Sequence, residues 1–92
     1  MDIDQLIAFE RTVHEGSFSK AAWSLGIAQP TISARIRGLE QTVGGSLFHR
    51  GRTVKLTERG SSFLPYARRV IAALQEGLEA VRLAHSLSLI HI

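Results

Sequence analysis

Within residues 29–37, Gln29, Pro30, Thr31, Ser33 and Arg37 bring together side chains able to read the edge of a base pair. A glutamine amide can pair with both major-groove groups of adenine, and proline and threonine offer apolar surface to a thymine methyl. A serine hydroxyl donates or accepts, and an arginine reaches outward with several donors. Around them lie groups of the phosphate-binding type: Ser17, Ser19, Lys20, Arg35, Arg50, Arg52 and Lys55. Cations and free backbone N–H groups at a helix start are what a polyanion meets first.

The charge distribution follows the same segment. The formal net charge is +3. Residues 1–15 carry −3, residues 16–59 carry +5 and residues 60–92 carry +1. A basic stretch alone is commonly a solvated face, so it gains meaning only from the elements that hold it. The other function classes find little support. There is no cysteine, and the histidines at 14, 49, 85 and 91 lack metal-site spacing, so no metal or cofactor is expected. No nucleophile motif or paired catalytic carboxylates occur, which argues against an enzyme. No secretory segment or membrane-length apolar run is seen, and a soluble cytoplasmic protein fits best.

Ninety-two residues suffice for one small core. Residues 2–15 read as a helix, with Asp2 and Gln5 forming a capping box and Ile3, Leu6, Phe9 and Val13 on one stripe. Gly16 ends it, and Ser17 caps a short helix over 18–25. Phe18, Ala22 and Leu25 form its inner face, Ala21 lies at the border, and Gly26 closes it. A third helix over 29–43 places Ile32, Ile36, Leu39 and Val43 inward, and Pro30, Ala34, Arg37 and Gln41 outward. Gly44-Gly45 stops it. Leu47-Phe48 and Val54-Lys55-Leu56 then predict a small β-hairpin whose loop carries Arg50 and Arg52.

Thr57 caps a last helix predicted over 58–85. Phe63, Ala67, Val70, Leu74, Leu78 and Val81 repeat like a coiled-coil seam, longer than so small a domain can cover. They are therefore assigned to a dimer interface. Pro65 predicts a bend or local loosening, and Gly60 and Gly77 lower the helix propensity further. Residues 86–92 read as the start of a further domain or a leftover of cloning, disordered or helical in preference to sheet. Trp23 points off its helix's inner face, which suits a core or interface role better than base stacking.

The predicted architecture is mainly α: a winged helix-turn-helix of three helices plus a short wing over residues 1–57, then the long linker or dimerisation helix. Two alternatives stay open on the residues alone. A winged helix used only for protein contact would carry acidic or aromatic residues on the outer third helix, whereas Pro30, Ser33, Ala34 and Arg37 stand there. A winged-helix regulator without a sensing domain also fits the chain's length.

From residue 2 to about 84, the chain resembles the N-terminal DNA-binding domain of LysR-type transcriptional regulators. The resemblance rests on Leu6, Phe9, Gly16-Ser17-Phe18, Ala21-Ala22, Leu25, Gln29-Pro30, Ser33, Ile36 and Leu39-Glu40. It continues through Gly44, Leu47-Phe48, Arg50, Leu56-Thr57, Gly60 and Tyr66-Ala67-Arg68. It implies a third helix in the major groove, a wing on the backbone or minor groove, and a homodimer joined by the long helix. The target would be double-stranded DNA carrying an inverted repeat, and a small-molecule inducer would act only through an effector domain absent from these residues. Three positions depart from the pattern. Ala28 replaces a capping serine, a loss worth ~1 kcal/mol. Ala34 stands where an arginine often reaches the bases, which throws readout onto Gln29, Pro30, Thr31, Ser33 and Arg37. The wing is slightly short.

Overall fold

The computed structural model describes residues 1–90. Four helices follow one another: α1 (Ile3–Glu15), α2 (Phe18–Leu25), α3 (Gln29–Val43) and α4 (Glu58–Ile90). Local chemistry sets the first three. Asp2 accepts from the Gln5 N–H while Gln5 Oε1 accepts from the Asp2 N–H, closing the predicted capping box. Ser17 accepts from the Lys20 N–H at 3.2 Å and starts α2. Each of these helices stops on a glycine in the left-handed region, as at Gly16 (φ 69°), a conformation that side chains with a Cβ rarely adopt.

The helices α1, α2 and α3 pack on one another, and α4 packs against α1. Their common core holds Leu6, Ala8, Phe9, Ala21, Ala22, Ile32, Ile36, Leu39, Leu47, Phe48 and Ala67. Ala21, expected at the border of its helix, is fully buried, so α2 presents two adjacent alanines to its neighbours. Phe9 is the hub. Its ring centroid lies 5.5 Å from Phe48 and 5.9 Å from Phe63, and Phe18 lies 5.5 Å from Phe48. Thr12 is buried on the same helix, with its hydroxyl donating to the Ala8 carbonyl.

The predicted hairpin is reduced to one antiparallel bridge, Phe48 with Leu56. The His49 N–H donates to the Lys55 carbonyl and the Thr57 N–H to the Leu47 carbonyl, and no strand is assigned on either side among the described residues. Two anchors replace a ladder. Leu47 and Phe48 are buried, and the Leu47 N–H donates to Glu40 Oε2 at 2.7 Å. The wing is thus a loop clamped at its root.

Thr57 links that root to α4. Its hydroxyl donates to the Ser46 carbonyl and accepts from the Gly60 N–H. The helix then runs unbroken through Pro65 and past residue 85 to Ile90; residues 91–92 of the predicted tail lie outside the described residues. The seam assigned to a dimer divides in two. Ala67 is 1% exposed and Phe63 is half-buried against Phe9, so both serve their own domain's core and Ala67 is closed to a partner. Val70, Leu74, Leu78 and Val81 remain exposed. On the far half of α4, Arg82 donates twice to Glu79 and holds that carboxyl below its ordinary range.

A Cβ at Gly60 would overlap the Leu47 carbonyl oxygen, which is backbone and cannot swing aside. Gly60→Ala should therefore cost about 1–3 kcal/mol despite alanine's better helix propensity. Urea unfolding measures it; an unchanged or raised midpoint would mean that α4 does not approach Leu47 so closely.

Candidate nucleic-acid interface

The outer face of α3 is open. Gln29, Pro30, Ala34, Arg37 and Gln41 are exposed, and Thr31 and Ser33 are half-buried. Ala28 contributes no side-chain cap, and its carbonyl takes the Thr31 and Ile32 N–H groups instead. Opposite that face, Ile32, Ile36 and Leu39 fix the helix in the core. The face therefore stands on a rigid base without being covered by the protein itself.

A groove runs between α3 and the wing. Ser33, Arg37 and Glu40 line it from α3, His49 and Arg50 from the wing, and Phe18 from α2. The structure thus brings three predicted contact residues, Ser33, Arg37 and Arg50, onto one concave surface. Arg50, Arg52 and Lys55 are exposed on the wing. At the start of α2, Ser17 is engaged as the cap and its hydroxyl lies 3.0 Å from that of Ser19, while Ser19 and Lys20 are exposed. Arg35 is half-buried beside α3's outer face.

The cations of this surface are free of carboxylates. Among the described residues the ion pairs are Arg68 with Glu10 and Arg82 with Glu79, both away from the basic segment. Arg50 pairs with neither Glu40 nor Glu58, the surface bridge that its position allows; Glu40 holds the wing root instead. An anion approaching Lys20, Arg37, Arg50 or Arg52 displaces no existing ion pair.

Three features escape the sequence pattern. His49 joins the groove, although the sequence shows it only as a histidine without metal-site spacing. Arg59 lays its guanidinium over Gly45, beside the end of α3. Trp23 is 87% exposed, which removes the core role and leaves it on the outer surface with Ser19 and Lys20. The one available signal for His49 was its place directly after the buried Phe48, where the chain must leave the core.

No helix of the described residues is long and apolar enough to cross a membrane, and no cluster of metal-ligating side chains occurs among them.

Residues 3–61 match the model of the family described as "Bacterial regulatory helix-turn-helix protein, lysR family". A probable RuBisCO transcriptional regulator of Cyanidioschyzon merolae is 46% identical over 86 residues, 92% of this chain and 28% of that protein. An uncharacterized HTH-type transcriptional regulator of Azotobacter vinelandii is 43% identical over 82 residues, 88% of this chain and 57% of its own. The chain therefore spans only part of these curated relatives' length. Among solved structures, the BenM_DBD/catB site 1 DNA complex superposes with a TM-score of 0.87 at 37% identity, covering 94% of this chain and 98% of that one. The CbnR_DBD-DNA complex superposes at 0.83 with 31% identity, covering 92% and 99%.

Glu40→Ala should leave the Leu47 N–H without its charged acceptor and cost about 1–3 kcal/mol, whereas Glu40→Gln should retain most of the stability. Amide exchange at Leu47 together with chemical denaturation reads both; equal loss in the two variants would contradict an acceptor role.

Proposed function

Because the chain belongs to the LysR family of bacterial regulatory helix-turn-helix proteins, we propose that it binds double-stranded DNA by sequence, with α3 in the major groove and the wing on the backbone or minor groove. The observation that carries this reading is the open outer face of α3, continuous through Ser33 and Arg37 with the basic wing. There the carboxylate of Glu40 is engaged by the Leu47 N–H and no cation is paired among the described residues. Two of the solved structures that superpose on nearly the whole chain are DNA complexes, which supports the reading. The same match supports a regulatory role, and a cytoplasmic location would give such a protein access to DNA.

Base edges are read by Gln29, Pro30, Thr31 and Ser33 from the first turns of α3, with Arg37 reaching across. Ser17, Ser19, Lys20, Arg35, Arg50, Arg52 and Lys55 meet phosphates and set register. Residues 1–57 form the reading head. The helix from residue 58 joins two copies through Val70, Leu74, Leu78 and Val81, an apolar stripe that the domain leaves exposed. Such a pair reads an inverted repeat.

Arg52→Ala should weaken binding to every duplex alike and lower the salt slope by about 1, while Gln29→Ala or Ser33→Ala should cost ~1–3 kcal/mol on the preferred sequence only. Fluorescence anisotropy on selected and scrambled duplexes separates the two; a sequence-neutral Gln29→Ala effect would sink the assignment of α3. Leu74→Asp should turn a dimer into a monomer in sedimentation equilibrium, and a wild-type chain that stays monomeric at high micromolar concentration would rule out pairing through α4.

A further inference from the structure

We propose that His49 is an additional DNA contact and makes the grip of this domain on duplex DNA proton-coupled, an inference that rests on the DNA-binding reading above. His49 follows the buried Phe48, and its N–H is tied to the Lys55 carbonyl at 2.9 Å, so its backbone is fixed at the root of the wing. Its side chain is exposed and lines the groove between α3 and the wing. A duplex seated on Ser33, Arg37 and Arg50 runs past it.

The groups around it decide the sign. From α3 come Arg37 and Glu40, from the wing Arg50, and from α2 only the uncharged Phe18. Glu40 Oε2 is already bound to the Leu47 N–H. In the free protein the imidazole thus shares the groove with two cations and one engaged carboxylate. A phosphate strand entering the groove adds negative charge next to the imidazole and favours its charged form. A neutral imidazole keeps one donor and one acceptor, whereas an imidazolium offers donors at both nitrogens. Affinity must therefore rise as pH falls through the range where histidines titrate.

The test uses the chain as it stands, at fixed ionic strength, between about pH 5.5 and 8. In that window carboxylates, lysines and arginines keep their charge, which leaves the histidines and the terminal amine. Wild-type affinity for a duplex should tighten about five- to tenfold per protomer at the acid end, and its salt slope should steepen by about 0.9 per protomer. His49→Gln should abolish both changes, and His49→Arg should hold the tighter affinity at every pH. His14→Gln, altering an exposed histidine on α1, should behave like wild type. A pH-independent wild type, or a His49→Gln chain that keeps the dependence, overturns the inference while leaving DNA binding intact. Failure of all variants to bind any duplex at low salt overturns the DNA-binding reading itself.

Discussion

The seating of Leu47 and Phe48 in the helical core is the contact on which the interface depends. A wing with a single bridge has little order of its own, since an isolated two-stranded hairpin is marginal in water. Burial of its two root side chains contributes on the order of 1.5–3 kcal/mol each. The backbone of Leu47 is satisfied on both sides, by Glu40 at the N–H and by Thr57 at the carbonyl. Phe48 then touches the aromatic hub that also orients α1 and α4. The basic loop is held in place by packing at its base, while Arg50 and Arg52 stay exposed on it.

Charge is divided along the chain in a way that serves the same end. The acidic first helix gives Glu10 to Arg68 on α4, which ties the long helix to the domain. The carboxylate of Glu40 is spent on the wing root. Apart from Glu40, what faces the groove from α2, α3 and the wing is cationic or neutral, and none of those cations is within an ion pair among the described residues. The same side chains would contribute little as surface bridges, because exposed pairs are worth ~0–1 kcal/mol. Left free, they stand available together for the phosphate contacts proposed above.

How far the sequence speaks depends on how local each determinant is. The ends of α1, α2 and α3 were legible because caps and left-handed glycines act within a turn: Asp2 with Gln5, Ser17 with Lys20, and Gly16, Gly26 and Gly44. The outer face of α3 was legible for the same reason, through helical spacing. The wing was legible only in outline, because the hairpin around loop 49–53 closes on the single Phe48–Leu56 bridge and its side-chain anchors lie in the helical core. The run of α4 past residue 85 takes the helical alternative left open for the tail, since nothing near residue 85 stops a helix. Seam spacing could not tell Ala67, which faces its own core, from Leu74, which faces solvent. Gly60 reads in the sequence as a weak helix residue, and only the Leu47 carbonyl beside it explains why a side chain is excluded.

The long helix has a mechanical meaning. Fixed to the domain near Gly60 and Ala67, α4 projects as a lever of about 35 Å from Ala67 to its described end, at ~1.5 Å per residue. A tilt of about 5° at that root moves the tip by roughly 3 Å, close to the ~3.4 Å rise of one base step. In a pair joined along α4, the distance between the two reading heads is therefore governed by a few atoms around Leu47 and Gly60, remote from any base.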